Sequence, residues 1–200
     1  MRKAAITGGI GSGKSYISAK LEALGLPHLD SDKLVHDLYD GCVPLRNALR
    51  ELFGGGIFGE DGGIDRKALG KIVFADQEKL EALDHLVHAY VKEKTYEWFD
   101  ELEKEGYAAA LFEAPQLFEA GMEDYFDAII CVGAERETRI ERVCLRDSCS
   151  RERAEAIIAN QLDDDEYRDR SDYYVSTDEG ADVDGQCAKL YLWLMTGEGK

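Results

Sequence analysis

Eight residues, Gly8-Gly9-Ile10-Gly11-Ser12-Gly13-Lys14-Ser15, leave this chain few folds to choose from. They match the pattern G-x-x-x-x-G-K-[S/T], and the flanking sequence decides whether such a match has meaning. Ahead of them, Ala4-Ala5-Ile6-Thr7 is short, apolar and suited to a buried strand. Behind them, residues 16–25 have helical spacing, with Ile17, Leu21 and Leu24 expected on one side. Strand, glycine loop and helix form the setting in which this pattern wraps phosphate. Glycines let the backbone close around oxyanions with consecutive N–H groups turned inward. The helix after the loop adds its positive end. Gly9, Ile10, Gly11, Ser12, Gly13, Lys14, Ser15 and Tyr16 therefore form the candidate nucleotide-binding segment. In such a loop the lysine reaches the β- and γ-phosphates and the serine ligates Mg²⁺, roles that fall on Lys14 and Ser15.

The rest of the chain repeats the alternation of strand and helix. Strand-like runs fall at 3–7, 26–29, 107–112, 128–132 and 173–176. Those at 107–112 and 128–132 are apolar throughout, as expected of strands covered on both faces. Five such strands separated by helices predict an α/β fold, a five-stranded parallel sheet with helices on both sides. About 75 residues separate the second strand from the third, and they hold helical stretches at 33–39, 44–53, 66–74 and 77–104. A glycine-rich run at 53–63 lacks Gly-Lys-Ser/Thr and reads as a connection. Two hundred residues suit one domain spanning 1–200 with a helical insertion at about 33–105, where a phosphate acceptor could dock.

Composition removes whole classes of function. A net charge of −17 argues against nucleic acid or an anionic membrane surface as partner, since both demand a basic face. No apolar run reaches the length of a membrane span. Met1-Arg2-Lys3 leads straight into the first strand and the loop, so no cleavable leader is expected. Five cysteines without a Cys-x-x-Cys pair fit neither a disulfide frame nor a zinc site, and point to a reducing, cytoplasmic setting. Cys131, in an apolar run, reads as core. Nothing in the sequence specifies an oligomeric state.

In a parallel sheet, substrate groups come from the carboxyl ends of the strands. Three acidic sites fall there: Asp30-Ser31-Asp32, Glu113 and Glu119. Asp32 can accept a proton from an attacking hydroxyl, or cap the helix expected from residue 33, and Asp30 serves equally well as that cap. Glu113 suits support of Mg²⁺, or a solvated loop. In so acidic a chain an arginine row is informative. Arg139, Arg142 and Arg146 share one helix face, and either stabilise the transferring phosphoryl group or pair with surface carboxylates. Cys149-Ser150-Arg151 breaks that helix like the bend of a lid at about 139–165. Asp163-Asp164-Asp165-Glu166 reads as solvated acidic surface. His88 reads as a partly buried structural histidine, and no histidine has metal-ligand spacing.

Several segments in order resemble dephospho-coenzyme A kinases. They are Thr7–Ser15, Leu29-Asp30-Ser31-Asp32, Asp65-Arg66-Lys67-Ala68-Leu69 with Ile72-Val73-Phe74, Leu86-Val87-His88, Pro115-Gln116-Leu117-Phe118-Glu119, Arg142-x-x-x-Arg146-Asp147 and Asn160-Gln161. The resemblance implies a three-layer P-loop kinase fold and ATP-dependent phosphorylation of the ribose 3′-hydroxyl of dephospho-coenzyme A. It places the proposed base on Asp32, an acceptor held by the helical insertion with Asp32, Arg66, Leu69, His88, Pro115 and Leu117 as substrate-binding residues, and a lid carrying Arg142 and Arg146 over ATP. Mg²⁺ is implied, held by Ser15 and Glu113. The chain departs from the family at Tyr16 for Thr, Ala89 for Pro, Glu113 for Asp and Gln116 for Leu. Competing readings are a small-molecule P-loop kinase for a nucleoside, nucleotide or shikimate-type acceptor, and a nucleotide switch. A guanine-reading Asn-Lys-x-Asp element, which a GTPase switch requires, is absent.

Overall fold

The computed structural model describes residues 1–197, which fall into two compact units. The first unit comprises Met1–Asp30 and the chain from Glu101 onward, and the second is Ser31–Asp100.

The first unit is built on five parallel strands: β1 (Arg2–Thr7), β2 (His28–Asp30), β3 (Ala109–Glu113), β4 (Ala128–Gly133) and β5 (Tyr173–Ser176). Their spatial order is β2-β3-β1-β4-β5. The two continuously apolar runs supply β3 and β4, which flank β1 at the centre of the sheet. β3 is buried along its whole length, as are Ala4–Thr7 of β1 and all but the last residue of β4. Cys131 lies in this core, where burial pushes its thiol up to about 11. β2 is shorter than the expected strand, because Pro27 has no N–H to offer a ladder and only its carbonyl pairs, with the Leu111 amide.

Helix α1 (Lys14–Ala23) begins directly after Gly13, which takes a left-handed conformation (φ 91°) at its N-cap. Ile17, Ser18 and Leu21 face the sheet. Leu24, expected on that face, is the exposed C-cap residue, since the helix stops one residue before it and Gly25 turns the chain away. Ile17 and Leu21 join Ile6, Leu111, Ile130 and Val175 of the sheet in one apolar cluster. Cys187, Leu190, Trp193 and Leu194 of the last described helix, Val183–Thr196, complete it.

The second unit is helical: α2 (Ser31–Gly41), α3 (Val43–Phe53), α4 (Arg66–Val73) and α5 (Gln77–Glu105), the last of which continues into the first unit. Asp65 caps α4 by accepting from the Lys67 and Ala68 amides at 2.9 and 3.0 Å. The glycine-rich run is indeed a connection. It holds a short 3₁₀ turn at Gly55–Ile57 and an antiparallel bridge between Phe58 and Ile64, with Arg50 4.5 Å over the Phe58 ring.

Beyond β4 come α6 (Arg136–Asp147), α7 (Arg151–Ala159), α8 (Asp164–Asp169) and, after β5, α9 (Val183–Thr196). The expected break between α6 and α7 is present. Ser148 is left-handed (φ 49°), and Ser150 caps α7. Ile140 and Val143 of α6 pack on Ala154 and Ile158 of α7, with the loop residue Ile10 against them. No helix among the described residues is long and apolar enough to cross a membrane.

Leu21 and Leu24 offer a matched test of this packing. Leu21→Ala should cost about 2–5 kcal/mol, because the site is wholly buried, and Leu24→Ala less than about 0.5 kcal/mol. Urea unfolding of the two variants measures the difference, and equal losses would contradict the placement of α1.

Candidate active site

The glycine loop comes after β1 at the carboxyl edge of the sheet, between strands that pair with β1 on both sides. Its shape is imposed from outside. Lys14 folds beneath the loop and donates to the carbonyls of Gly8 (2.6 Å) and Gly9 (3.3 Å). The Arg139 Nε donates to the Ile10 carbonyl at 2.9 Å, while the Ile10 amide donates to Gln161 Oε1 at 2.7 Å. Arg142 donates to the Gly11 carbonyl (3.1 Å) and to both the hydroxyl (2.8 Å) and carbonyl (2.7 Å) oxygens of Thr177. The Thr177 hydroxyl in turn donates to the Ser12 carbonyl at 2.7 Å. Gly8 and Gly9 are required by crowding. A Cβ on Gly8 would lie 2.1 Å from the Val132 carbonyl oxygen, and one on Gly9 would lie 2.1 Å from a terminal nitrogen of Arg139.

Next to the loop lies a compact polar cluster. The Ser15 hydroxyl donates to Glu113 Oε1 at 2.7 Å. Glu113 ends β3, in register with Ile6 of β1 and Asp30 of β2, and is only 3% exposed, so the solvated-loop reading of this residue does not hold. Its other oxygen faces His28 Nε2 at 3.3 Å, and His28 Nδ1 stands 3.7 Å from Glu22. Burial pushes the Glu113 carboxyl up, but His28, Ser18 and Ser15 together outweigh burial and hold it below the ordinary glutamate value. The Glu113 carboxylate raises the His28 imidazole above its usual value against the opposing effect of burial. A hydroxyl and an ionised carboxylate are hard oxygen donors of the kind Mg²⁺ takes beside substrate phosphates, so this pair fits the implied ion.

The arginine row divides along α6. Arg139 is buried and Arg142 half-buried against the loop, but Arg146 is 60% exposed and bonds its neighbour Asp147 at 2.7 and 2.9 Å. Seven residues of helix carry Arg146 about 10 Å beyond Arg139, past the end of the loop. Sequence reasoning favoured Arg142 and Arg146 over Arg139, whose role the structure reveals. It also passed over Thr177 and His28. The acidic run at 163–166 is exposed throughout, as expected, and Asp164 also forms an ion pair with the buried Arg139. Glu119 accepts from the Tyr167 hydroxyl at 2.9 Å. Tyr16 is exposed, with the Lys20 ammonium 4.9 Å over its ring.

The second unit holds Asp32, exposed in the first turn of α2, which begins at Ser31 and not at 33. Arg66 is exposed at the start of α4, with its guanidinium 2.6 Å from His36 Nδ1 and 5.6 Å from the Tyr39 ring centre. His88 is exposed, contrary to expectation, because the buried stripe of α5 runs through Leu83, Val87 and Val91, one step off its position. Leu69 and, in the first unit, Leu117 are core residues, so neither side chain is available to touch a substrate. Pro115 is half-buried and Gln116 exposed.

A parallel sheet in this order, with a lysine-bearing glycine loop after its central strand and a serine–carboxylate pair beside it, defines a P-loop phosphotransferase. The dephospho-CoA kinase family model matches residues 3–182, and the chain belongs to that family. It is 37% identical to a dephospho-CoA kinase of Symbiobacterium thermophilum over 172 residues, covering 86% of this chain and 72% of that one. Among solved structures it is similar to TT1252 from Thermus thermophilus (TM-score 0.80, 32% identity, 98% of each chain). It is also similar to the dephospho-CoA kinase of Campylobacter jejuni (TM-score 0.73, 28% identity, 98% of each chain).

Gly8→Ala should destabilise the protein far more than Gly25→Ala. Both have positive φ (138° and 95°), but Gly25 has no atom within 4 Å of an added Cβ, so it carries only left-handed strain of about 1–2 kcal/mol. Thermal unfolding compares them, and similar shifts in Tm would argue against the tight seat of the loop on β4.

Proposed function

We propose that this chain transfers the γ-phosphoryl group of ATP to the ribose 3′-hydroxyl of dephospho-coenzyme A, giving ADP and coenzyme A in the last step of coenzyme A synthesis. The observation that carries this reading is the Lys14–Ser15–Glu113 site at the carboxyl edge of the sheet, within a family match that spans nearly the whole chain.

The loop from Gly9 to Tyr16 binds ATP, with the Lys14 ammonium leaving the Gly8 and Gly9 carbonyls for the β- and γ-phosphates. Ser15 and Glu113 hold Mg²⁺, which when bound neutralises charge shared by the β- and γ-phosphates. Arg142 keeps the loop in shape, and Arg146, at the far end of α6, meets the transferring group only if α6 and α7 shift toward it. Asp32 takes the proton of the attacking hydroxyl. Transfer of this kind is loose, so Asp32 mainly orients the nucleophile and receives its proton late, as the new P–O bond forms and the bond to ADP breaks. Arg66 and His88 are the exposed groups of the second unit proposed to hold the acceptor. Pro115 is proposed to touch the same substrate, with Leu69 and Leu117 supporting from the core. The five free thiols accord with a reducing, cytoplasmic location.

With Mg²⁺ present, ADP release should depend on dephospho-coenzyme A, and chelation of the ion should abolish it. Equal ADP release with and without the acceptor would sink the reading, and preference for a nucleoside or shikimate would redirect it. Asp32→Asn should lower kcat by about 10²-fold or more while leaving ATP affinity intact. A near-normal kcat would leave Asp32 as a first-turn acid that favours the positive end of α2. Arg146→Ala should reduce kcat more than it weakens ATP binding, and an unchanged kcat would leave this arginine as a surface partner of Asp147.

A further inference from the structure

Arg139 is 1% exposed, and burying a guanidinium is costly unless its donors are met. Here each donor leads to a different part of the fold. Nε donates to the Ile10 carbonyl of the glycine loop at 2.9 Å. One terminal nitrogen pairs with the Asp164 carboxylate, at the start of α8. The other lies 3.4 Å from Gln161 Oε1, the same atom that accepts from the Ile10 amide at 2.7 Å. The Ile10 peptide is therefore held on both sides, its carbonyl by α6 and its amide by the turn between α7 and α8. The Ile10 side chain adds a third tie, packed against the Ile140, Val143, Ala154 and Ile158 cluster of α6 and α7. Gly9 makes room for the guanidinium, since any Cβ there would displace it.

We propose that Arg139 is a positioning residue that couples the nucleotide loop to the α7–α8 segment, through the Ile10 peptide and the Asp164 carboxylate, so that nucleotide on the loop orders residues 151–169. The inference rests on the reading of the loop as the ATP site. A lysine could not replace the arginine, because only the planar fork serves Ile10, Gln161 and Asp164 together. Coupling of this kind is reciprocal, so loosening the α8 end must weaken nucleotide binding at the loop.

Amide hydrogen exchange of the full chain, with and without Mg²⁺ and the non-hydrolysable ATP analogue AMP-PNP, tests this directly. In the unaltered protein the analogue should slow exchange both at residues 8–18 and at residues 151–169. Asp164→Asn alters a half-exposed carboxylate and should leave Tm nearly unchanged. It should keep the protection at 8–18, lose most of that at 151–169, and raise KM for ATP by about fivefold, with a smaller change in kcat. Arg139→Lys should show the same pattern, and if it fails to fold, Asp164→Asn decides alone. Undiminished protection of 151–169 in Asp164→Asn would overturn the coupling and leave Arg139 as packing. Absence of AMP-PNP binding by the unaltered protein in calorimetry would instead overturn the reading of the loop itself.

Discussion

A phosphate-binding loop must be nearly bare of side chains, and a bare loop cannot hold its own shape. In this protein three cations hold it by its carbonyls. Lys14 takes Gly8 and Gly9, Arg139 takes Ile10, and Arg142 takes Gly11. In a trans peptide the next residue's N–H points opposite to the carbonyl, so a cation on a carbonyl sets the direction of the amide that follows it. The amides of Ile10 and Ser12 bond within the protein, to Gln161 and to the Gly9 carbonyl. Those of Gly9 and Gly11 follow carbonyls held by Lys14 and Arg139, so each points away from the cation on the carbonyl before it. The lysine shapes the loop here, and under the proposed function it would leave these carbonyls to meet phosphate. The two arginines brace the loop from outside.

The acidic character of the chain gives these braces their setting. A net charge of −17 surrounds a site meant for a polyanion. Charges on the surface are screened within about 10 Å at ordinary salt, whereas buried ones are screened much less. Arg139 and Lys14 are buried and Arg142 is partly so, hence their fields act at the loop with little attenuation. The single buried acid of the cluster, Glu113, is held by Ser15 and His28 in a place where a divalent ion would answer its charge.

Much of this was legible in the sequence. Strand positions came from apolar runs, since inner strands of a parallel sheet have no wet face to encode by alternation. The seat of the loop came from the strand and helix on either side of it, together with the rule that sites gather at the carboxyl ends of parallel strands. What spacing could not tell was depth. The row Arg139, Arg142 and Arg146 correctly shared a face, but a shared face says nothing about where along the helix the neighbouring loop ends. His88 and Val87 are adjacent in α5, and one step of about 100° separates exposed from buried. Leu69 and Leu117 sit in family motifs because they pack, which a motif does not distinguish from touching a substrate. Asp164 was hidden in a run of four acids, all of which have the exposure such a run suggests and one of which is also the partner of a buried arginine.

His28 was passed over because a lone histidine on a short edge strand carries no spacing signal, yet it accounts for a departure of this chain from its family. Glu113 stands where aspartate is usual, and the extra methylene advances the carboxylate by about 1.5 Å. The longer side chain meets two partners, with Ser15 on one oxygen at 2.7 Å and His28 on the other at 3.3 Å. Three residues on three elements are thus fitted to one another: Ser15 on α1, His28 on β2 and Glu113 on β3. The lengthened carboxylate is held in its ionised form in part by His28, so Glu113 and the histidine at 28 act as one structural unit.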